Sequence, residues 1–336
     1  MMKTLLIIPF LFMSSSNAKC VKDVVNQWKN LKHHGKRIYI KNNDRIFRKN
    51  SYTMRIRNKL GIDNHFQGVQ RIPGEKNFVV SGGDIRAKRA DLFVIIDGKF
   101  QRRINLDMWP YWHPGGIQVY DNILAVGVEE WKEIKVGKIY FYDFKDPENP
   151  KLLKTWIDIP HTKTGAVFFH KLFDGRYVVG SHDQTNLEIY FSKTPNINDG
   201  FPEKADMVLN IRESAKGVKT DQLGSAQTVN IIEQCDGKLF LASFTNKGKM
   251  TPIRNAKDLG QLFSIDIKVN PPILKHIAEK HFSCKRNCNF AGATGISINE
   301  KGELSVLSTH HFRRVVTKKF YVVEFGQKKV FRTEER

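Results

Sequence analysis

Five segments of this chain open on the same short pattern, and that repetition constrains the fold more than any other feature of the sequence. They read Gly68-Val69-Gln70, Gly116-Ile117-Gln118, Gly165-Ala166-Val167, Ser225-Ala226-Gln227 and Gly292-Ala293-Thr294. A small residue leads each one, and successive starts lie 48, 49, 60 and 67 residues apart. An apolar second strand is expected after each start, near Val80, Val126, Val179, Leu241 and Val306. Third strands follow around Val94, Tyr140, Ile189, Phe263 and Val322, then more polar fourth strands such as those around Arg103, Leu153 and Lys275. Turn residues separate them: Pro73-Gly74, Asp121-Asn122, Asp174-Gly175, Asp236-Gly237 and Lys301-Gly302. Four short strands per unit, repeated, predict an all-β chain folded as a five-bladed β-propeller. Residues 36–60 would supply either a sixth blade or an added strand that closes the ring. Small leading residues suit the crowding near a propeller axis. Helical periodicity is confined to Val21–Leu31 and Ile211–Lys219.

One stretch carries a family resemblance. Ile139-Tyr140-Phe141-Tyr142-Asp143, followed by Asp146-Pro147-Glu148-Asn149-Pro150-Lys151-Leu152, resembles the LVIVD repeat of bacterial secreted propellers. Leu262–Asp266 with Asn270-Pro271-Pro272 is a weaker copy, and Phe93–Asp97 keeps only the strand. The resemblance implies the fold and no activity, since propellers host many unrelated functions.

The first 18 residues read as a cleaved signal peptide, with Lys3 in the n-region, an apolar run from Leu5 to Met13, and Ser16 and Ala18 before the cleavage point. That run is too short to span a bilayer, and Lys19 stands where lipidation of Cys20 would need a small residue. The expected organisation is therefore signal peptide 1–18, an N-terminal segment 19–60 and a propeller 61–336, in a secreted or periplasmic protein with no transmembrane segment. Four cysteines in an exported chain suggest disulfides. Cys284 and Cys288 can pair across a loop, leaving Cys20 for Cys235. The formal net charge is +21. That surplus favours anionic partners, a glycan, a lipid surface or a small molecule; nucleic acid fits the charge but not the export signal.

In a propeller the loop entering a first strand and the loop leaving a second strand open on the same mouth. That rule gathers His65, His113, His161, His182, His310 and His311 at one mouth, with Asp84, Glu129, Glu130 and Asp183. His170, which ends a first strand, points to the other. Histidines and carboxylates together suit a divalent transition metal or acid–base work near neutral pH; His65, His113 and His161 are the candidate ligands. Asp84, Glu129 and Asp183 are the candidate catalytic carboxylates, as in a glycosidase. Arg86, Arg89, His182, His310, Arg313 and Trp112 are the candidate contacts for an anionic ligand. Gln70, Gln118 and Gln227 are expected to line the axis as structural groups. No phosphate-binding loop, zinc-protease pair, EF-hand loop or nucleophile elbow is present. Two readings follow: binding of an acidic or phosphorylated glycan or lipid headgroup at a basic, histidine-lined mouth, or a metal-dependent hydrolase or lyase, or carboxylate glycosidase, on the same face.

Overall fold

The computed structural model describes residues 20–41, 64–84, 89–107, 110–130, 136–160, 164–183, 185–211, 226–247, 257–284, 288–310, 312–313 and 320–328. They are mostly β. A seven-residue helix α1 (Val24–Asn30) is capped by Asp23, whose carboxylate accepts from the amide of Asn26, and is followed by strand β1 (Lys36–Ile40). The next sheet runs β2 (Asn64–Arg71), β3 (Phe78–Asp84), β4 (Arg89–Ile96) and β5 (Lys99–Asp107). Three further four-stranded antiparallel sheets follow in chain order. They are β6 (His113–Tyr120), β7 (Ile123–Glu130), β8 (Val136–Asp143) and β9 (Lys151–Ile159); β10 (Ala166–Lys171), β11 (Tyr177–His182), β12 (Asn186–Phe191) and β13 (Met207–Asn210); and β14 (Thr228–Glu233), β15 (Leu239–Lys247), β16 (Lys257–Asp266) and β17 (Ile273–Phe282). The chain ends on β18 (Thr294–Ile298), β19 (Leu304–Thr309), β20 (Phe312–Arg313) and β21 (Phe320–Phe325). Here β18, β19 and β21 pair in succession, β1 from the N-terminal segment pairs with β21, and β20 pairs with β2.

Hydrophobic patterning explains the order of the strands within each sheet. Second strands such as β11 are buried along their whole length, whereas β9 alternates exposed and buried residues from Lys154 to Ile159. The first strands β2, β6, β10, β14 and β18 pack one against the next, and β18 returns to β2 through the parallel pairing of Thr294 with Gly68. The arrangement is propeller-like. Small residues are needed where the first strands meet: a Cβ on Gly115 would stand 2.6 Å from the Gly165 carbonyl oxygen, and one on Gly68 2.9 Å from the Ile117 nitrogen. Side chains seal the axis between them. Gln70 donates to Asn230 Oδ1, Asn230 donates to the Ile117 carbonyl, and Gln118 both donates to Ile231 and accepts from Phe169 and Ile231.

Helix α1 fills the groove between the β14–β17 sheet and the last sheet, burying Val24 and Trp28 among Phe244, Phe282 and Phe325. Disulfides join Cys20 to Cys235 and Cys284 to Cys288. Among the described residues no helix is long and apolar enough to cross a membrane. The second helical expectation, Ile211–Lys219, falls almost wholly outside the described residues.

Candidate functional site

Strand register places the entrance of each first strand beside the exit of its second. His65 pairs with Gly83, His113 with Glu129, Ala166 with His182 and Thr228 with Phe244. The sheets bring two of the sequence-selected histidines together: the His65 and His113 rings are 5.1 Å apart between centroids. Between them lies Gln67, the extra residue of a β-bulge in β2 between Phe66 and Gly68. Its Nε2 is 2.6 Å from His65 Nε2 and 3.1 Å from His113 Nε2. On the far side of His113, Nδ1 donates to Glu129 Oε1 at 3.1 Å. With Nδ1 so committed, a neutral His113 presents an Nε2 lone pair to the amide.

His113 is partly exposed, and the other members of this chain of contacts are withdrawn from solvent. Glu129 is 4% exposed, Gln67 2% and His65 8%. Glu129 Oε2 and Gln67 Oε1 are buried without a hydrogen-bond partner among the described residues. A buried polar atom left in that state costs about 1–3 kcal/mol, so the arrangement holds unused capacity for a ligand, a proton or an ion. Trp112 walls the site: it is buried, its ring lies edge-on to His113 at 5.7 Å, and its Nε1 reaches Glu130 Oε1 at 3.4 Å. It packs there and offers no open face for stacking, unlike the ligand contact expected from the sequence.

The other selected residues divide clearly. Arg89 does not present a free cation, because its Nε donates to Asp91 Oδ2 at 3.1 Å and Arg103 binds the same oxygen. Asp183 Oδ1 accepts from the amides of Thr185 and Asn186, capping its own turn. His182 is buried at the end of β11, its carbonyl taking the Gly165 amide. His310 packs on Phe320 and Tyr321, and burial lowers its pKa. Asp84 ends β3 opposite Arg89, and Arg313 lies on β20 opposite Asn64. The side chains of those two, together with Arg86, His161 and His311, lie outside the described residues, as do most of the basic loop residues of this mouth. Among the described residues no three His, Cys, Asp or Glu side chains are arranged to hold a metal ion.

The opposite mouth differs. A cavity of about 1150 Å³ opens there, lined by Glu75, Asp121, Glu233, Glu300, Glu303 and Glu324 with Arg71 and Lys301. On its wall the buried His170 holds Glu233 Oε2 at 3.0 Å, and the Tyr120 ring stands edge-on to the imidazole at 4.4 Å. Burial, then Asp121 and Glu233, push the Tyr120 phenol well above its ordinary pKa. His170 thus faces away from the other histidines, as its place at the end of a first strand implies.

A buried carboxyl supports the histidine mouth from the β14–β17 sheet. Asp258 Oδ1 accepts from Asn246 Nδ2 and the Phe290 amide, both at 2.9 Å, tying down the segment that carries the Cys284–Cys288 bridge. Burial raises its pKa to about 6 against those hydrogen bonds. The folded protein therefore keeps a proton there that the unfolded chain has released. The contribution to stability is complete below pH ~4 and is lost as pH rises to ~6, a fall of roughly 3 kcal/mol. Chemical denaturation of wild type and Asp258→Asn across pH 4–7 is expected to show that fall in wild type and its absence in the variant.

No family model matches the chain, and no curated protein matches it. Solved structures do match, the following ones distantly. An α-L-arabinanase from Penicillium chrysogenum aligns over 79% of this chain and 94% of its own at 9% identity, with a TM-score of 0.47. A thermostable family-43 glycoside hydrolase covers 78% and 89% at 11% identity and 0.44. A GDP-Man-dependent mannosyltransferase from Leishmania mexicana covers 90% and 92% at 12% identity and 0.43. These likenesses are too distant to carry a catalytic residue across, and the LVIVD resemblance has no family match behind it.

Proposed function

We propose that the chain is a secreted, five-bladed propeller that acts as a hydrolase or lyase on an acidic glycan at its histidine-lined mouth. The blade count is read from the four-stranded sheets, with β1 completing the sheet of β18, β19 and β21 as its outer strand. The disulfides fit an oxidising compartment. The observation that carries the activity is the Glu129–His113–Gln67–His65 chain. A carboxylate that fixes one imidazole nitrogen leaves the other as the proton acceptor. A second imidazole within contact of the first can return the proton to a leaving oxygen. The acidic character of the substrate follows from the +21 charge.

This reading is preferred to a two-carboxylate glycosidase because Glu129 is committed to His113 and Asp183 to its own turn. It is preferred to simple anion binding because Arg89 is tied to Asp91. The mature protein should be incubated with uronate-containing polysaccharides while ultraviolet absorbance (unsaturated lyase products) and new reducing ends (hydrolysis) are followed. Turnover is expected, with a ~10²–10⁴-fold loss in His113→Ala. Binding without turnover by wild type would replace the enzyme reading with the binding one. Turnover unchanged in His113→Ala would move the chemistry off this mouth.

A further inference from the structure

We infer that His65, His113 and Gln67 form a binding site for one divalent transition-metal ion, with Gln67 as a ligand and Glu129 as the group that orients His113. The inference concerns the same mouth as the proposed activity and gives its two imidazoles a different task there, with their Nε2 atoms as ligands of an ion in place of acid and base. Three donor groups meet there. The Gln67 terminal amide is 2.6 Å from His65 Nε2 and 3.1 Å from His113 Nε2. Ligand atoms bound at about 2.0–2.1 Å to one zinc-like ion lie about 3 Å from each other. The amide thus stands near that spacing from an Nε2 atom of each ring, and it lies over the His65 ring with Nδ1 also 3.3 Å away.

The amide explains why an ion belongs there. As placed, Gln67 turns its NH₂ toward both imidazoles and leaves Oε1 buried with no partner among the described residues. Rotation of the terminal amide by a half-turn exchanges the two atoms and brings Oε1 to face the rings. The donor set offered to a divalent cation is then two imidazole nitrogens and one carbonyl oxygen. Glu129 completes the arrangement by accepting a hydrogen bond from His113 Nδ1 at 3.1 Å. A carboxylate on the outer nitrogen of a ligating imidazole fixes its tautomer and raises its basicity. Neutral imidazole with amide oxygen suits zinc, cobalt or nickel better than calcium or magnesium.

Gln67 is the ligand that tests the idea, because a purely hydrogen-bonded amide would not alter metal affinity. Metal-free mature protein should be titrated with Zn²⁺ by calorimetry and with Co²⁺ by visible absorption, alongside Gln67→Leu, Gln67→Glu, His65→Ala and Glu129→Gln. Thermal midpoints establish that each variant folds. One equivalent of either ion is expected to bind. Affinity should fall tenfold or more in Gln67→Leu and His65→Ala, fall about 10–100-fold in Glu129→Gln, and hold or rise in Gln67→Glu. No stoichiometric binding by wild type, or unchanged affinity in Gln67→Leu, would overturn the site. Turnover of uronate substrates that survives chelation but not His113→Ala would remove the ion and leave the acid–base reading standing. Stoichiometric metal binding without turnover would do the reverse.

Discussion

Replacing Gly295 with alanine is expected to destabilise the protein by about 3 kcal/mol, and with valine by more. Gly295 lies on β18 at the seam where the last sheet meets the first. A Cβ there would fall inside contact distance of the Val69 carbonyl oxygen and of Gln70 Nε2. The carbonyl belongs to the backbone of β2, so it cannot retreat without moving the strand. Gln70 would have to leave Asn230 Oδ1, which also takes the Ile296 amide. One methyl group therefore separates β18 from β2 and breaks the polar seal of the axis together. Gly326, whose added Cβ would meet nothing within 4 Å, is the matched control and should tolerate alanine to within about 0.5 kcal/mol. Urea denaturation of the two variants decides the matter. Equal stability would mean that the seam is loose.

The same seam shows what the sequence made legible. Repeated small residues with regular turns predicted first strands crowded on an axis, and Gly68, Gly115 and Gly116 stand there against neighbouring backbone. The turn pairs, such as Asp174-Gly175 and Asp236-Gly237, mark the hairpins because Gly175 and Gly237 need positive φ. The meeting of His65 with His113 followed from the rule that entering and leaving loops share a mouth. Gln67 was missed because nothing repeats it: Gly115, Thr164, Gly224 and Ala291 hold the equivalent place before the leading residue in the other units. Its role comes from the neighbouring sheet, which no single segment displays. The partners of two other candidate residues had local signals. Asp91, two residues after Arg89 on one side of a strand, is placed to bind it. Asp183 before Thr185-Asn186 is the pattern of a carboxylate capping its own turn. The acidic mouth was hidden for a third reason. Glu75 and Glu300 each precede a lysine in sequence, and only the fold gathers them with Glu233, Glu303 and Glu324.

Removal of the Cys20–Cys235 bridge by paired serine substitution should cost on the order of 5 kcal/mol, lowering the melting temperature by roughly 10 °C. The bridge spans 215 residues, so breaking it frees nearly the whole propeller in the unfolded state. It also holds an extended set of native contacts. Val21 exchanges backbone hydrogen bonds with Glu233 and Cys235, Val24 donates to Gln234 Oε1, and Gln27 spans Gly302 and Leu304 in the last sheet. These position α1 so that Trp28 can pack against Phe244 and Phe282, and they lead the chain to β1 on the outer edge of β21. The Cys284–Cys288 bridge closes only four residues and should contribute about 2 kcal/mol by the same entropy argument. Thermal and urea unfolding of the two double-serine variants, each compared with wild type under oxidising conditions, tests the ordering. A larger loss from the short bridge would show that local strain in the Asp258 segment, rather than chain entropy, governs stability. A larger loss from the long one, with exchange of the α1 amides accelerated before global unfolding, would identify the N-terminal segment as the clasp that keeps the ring of sheets closed.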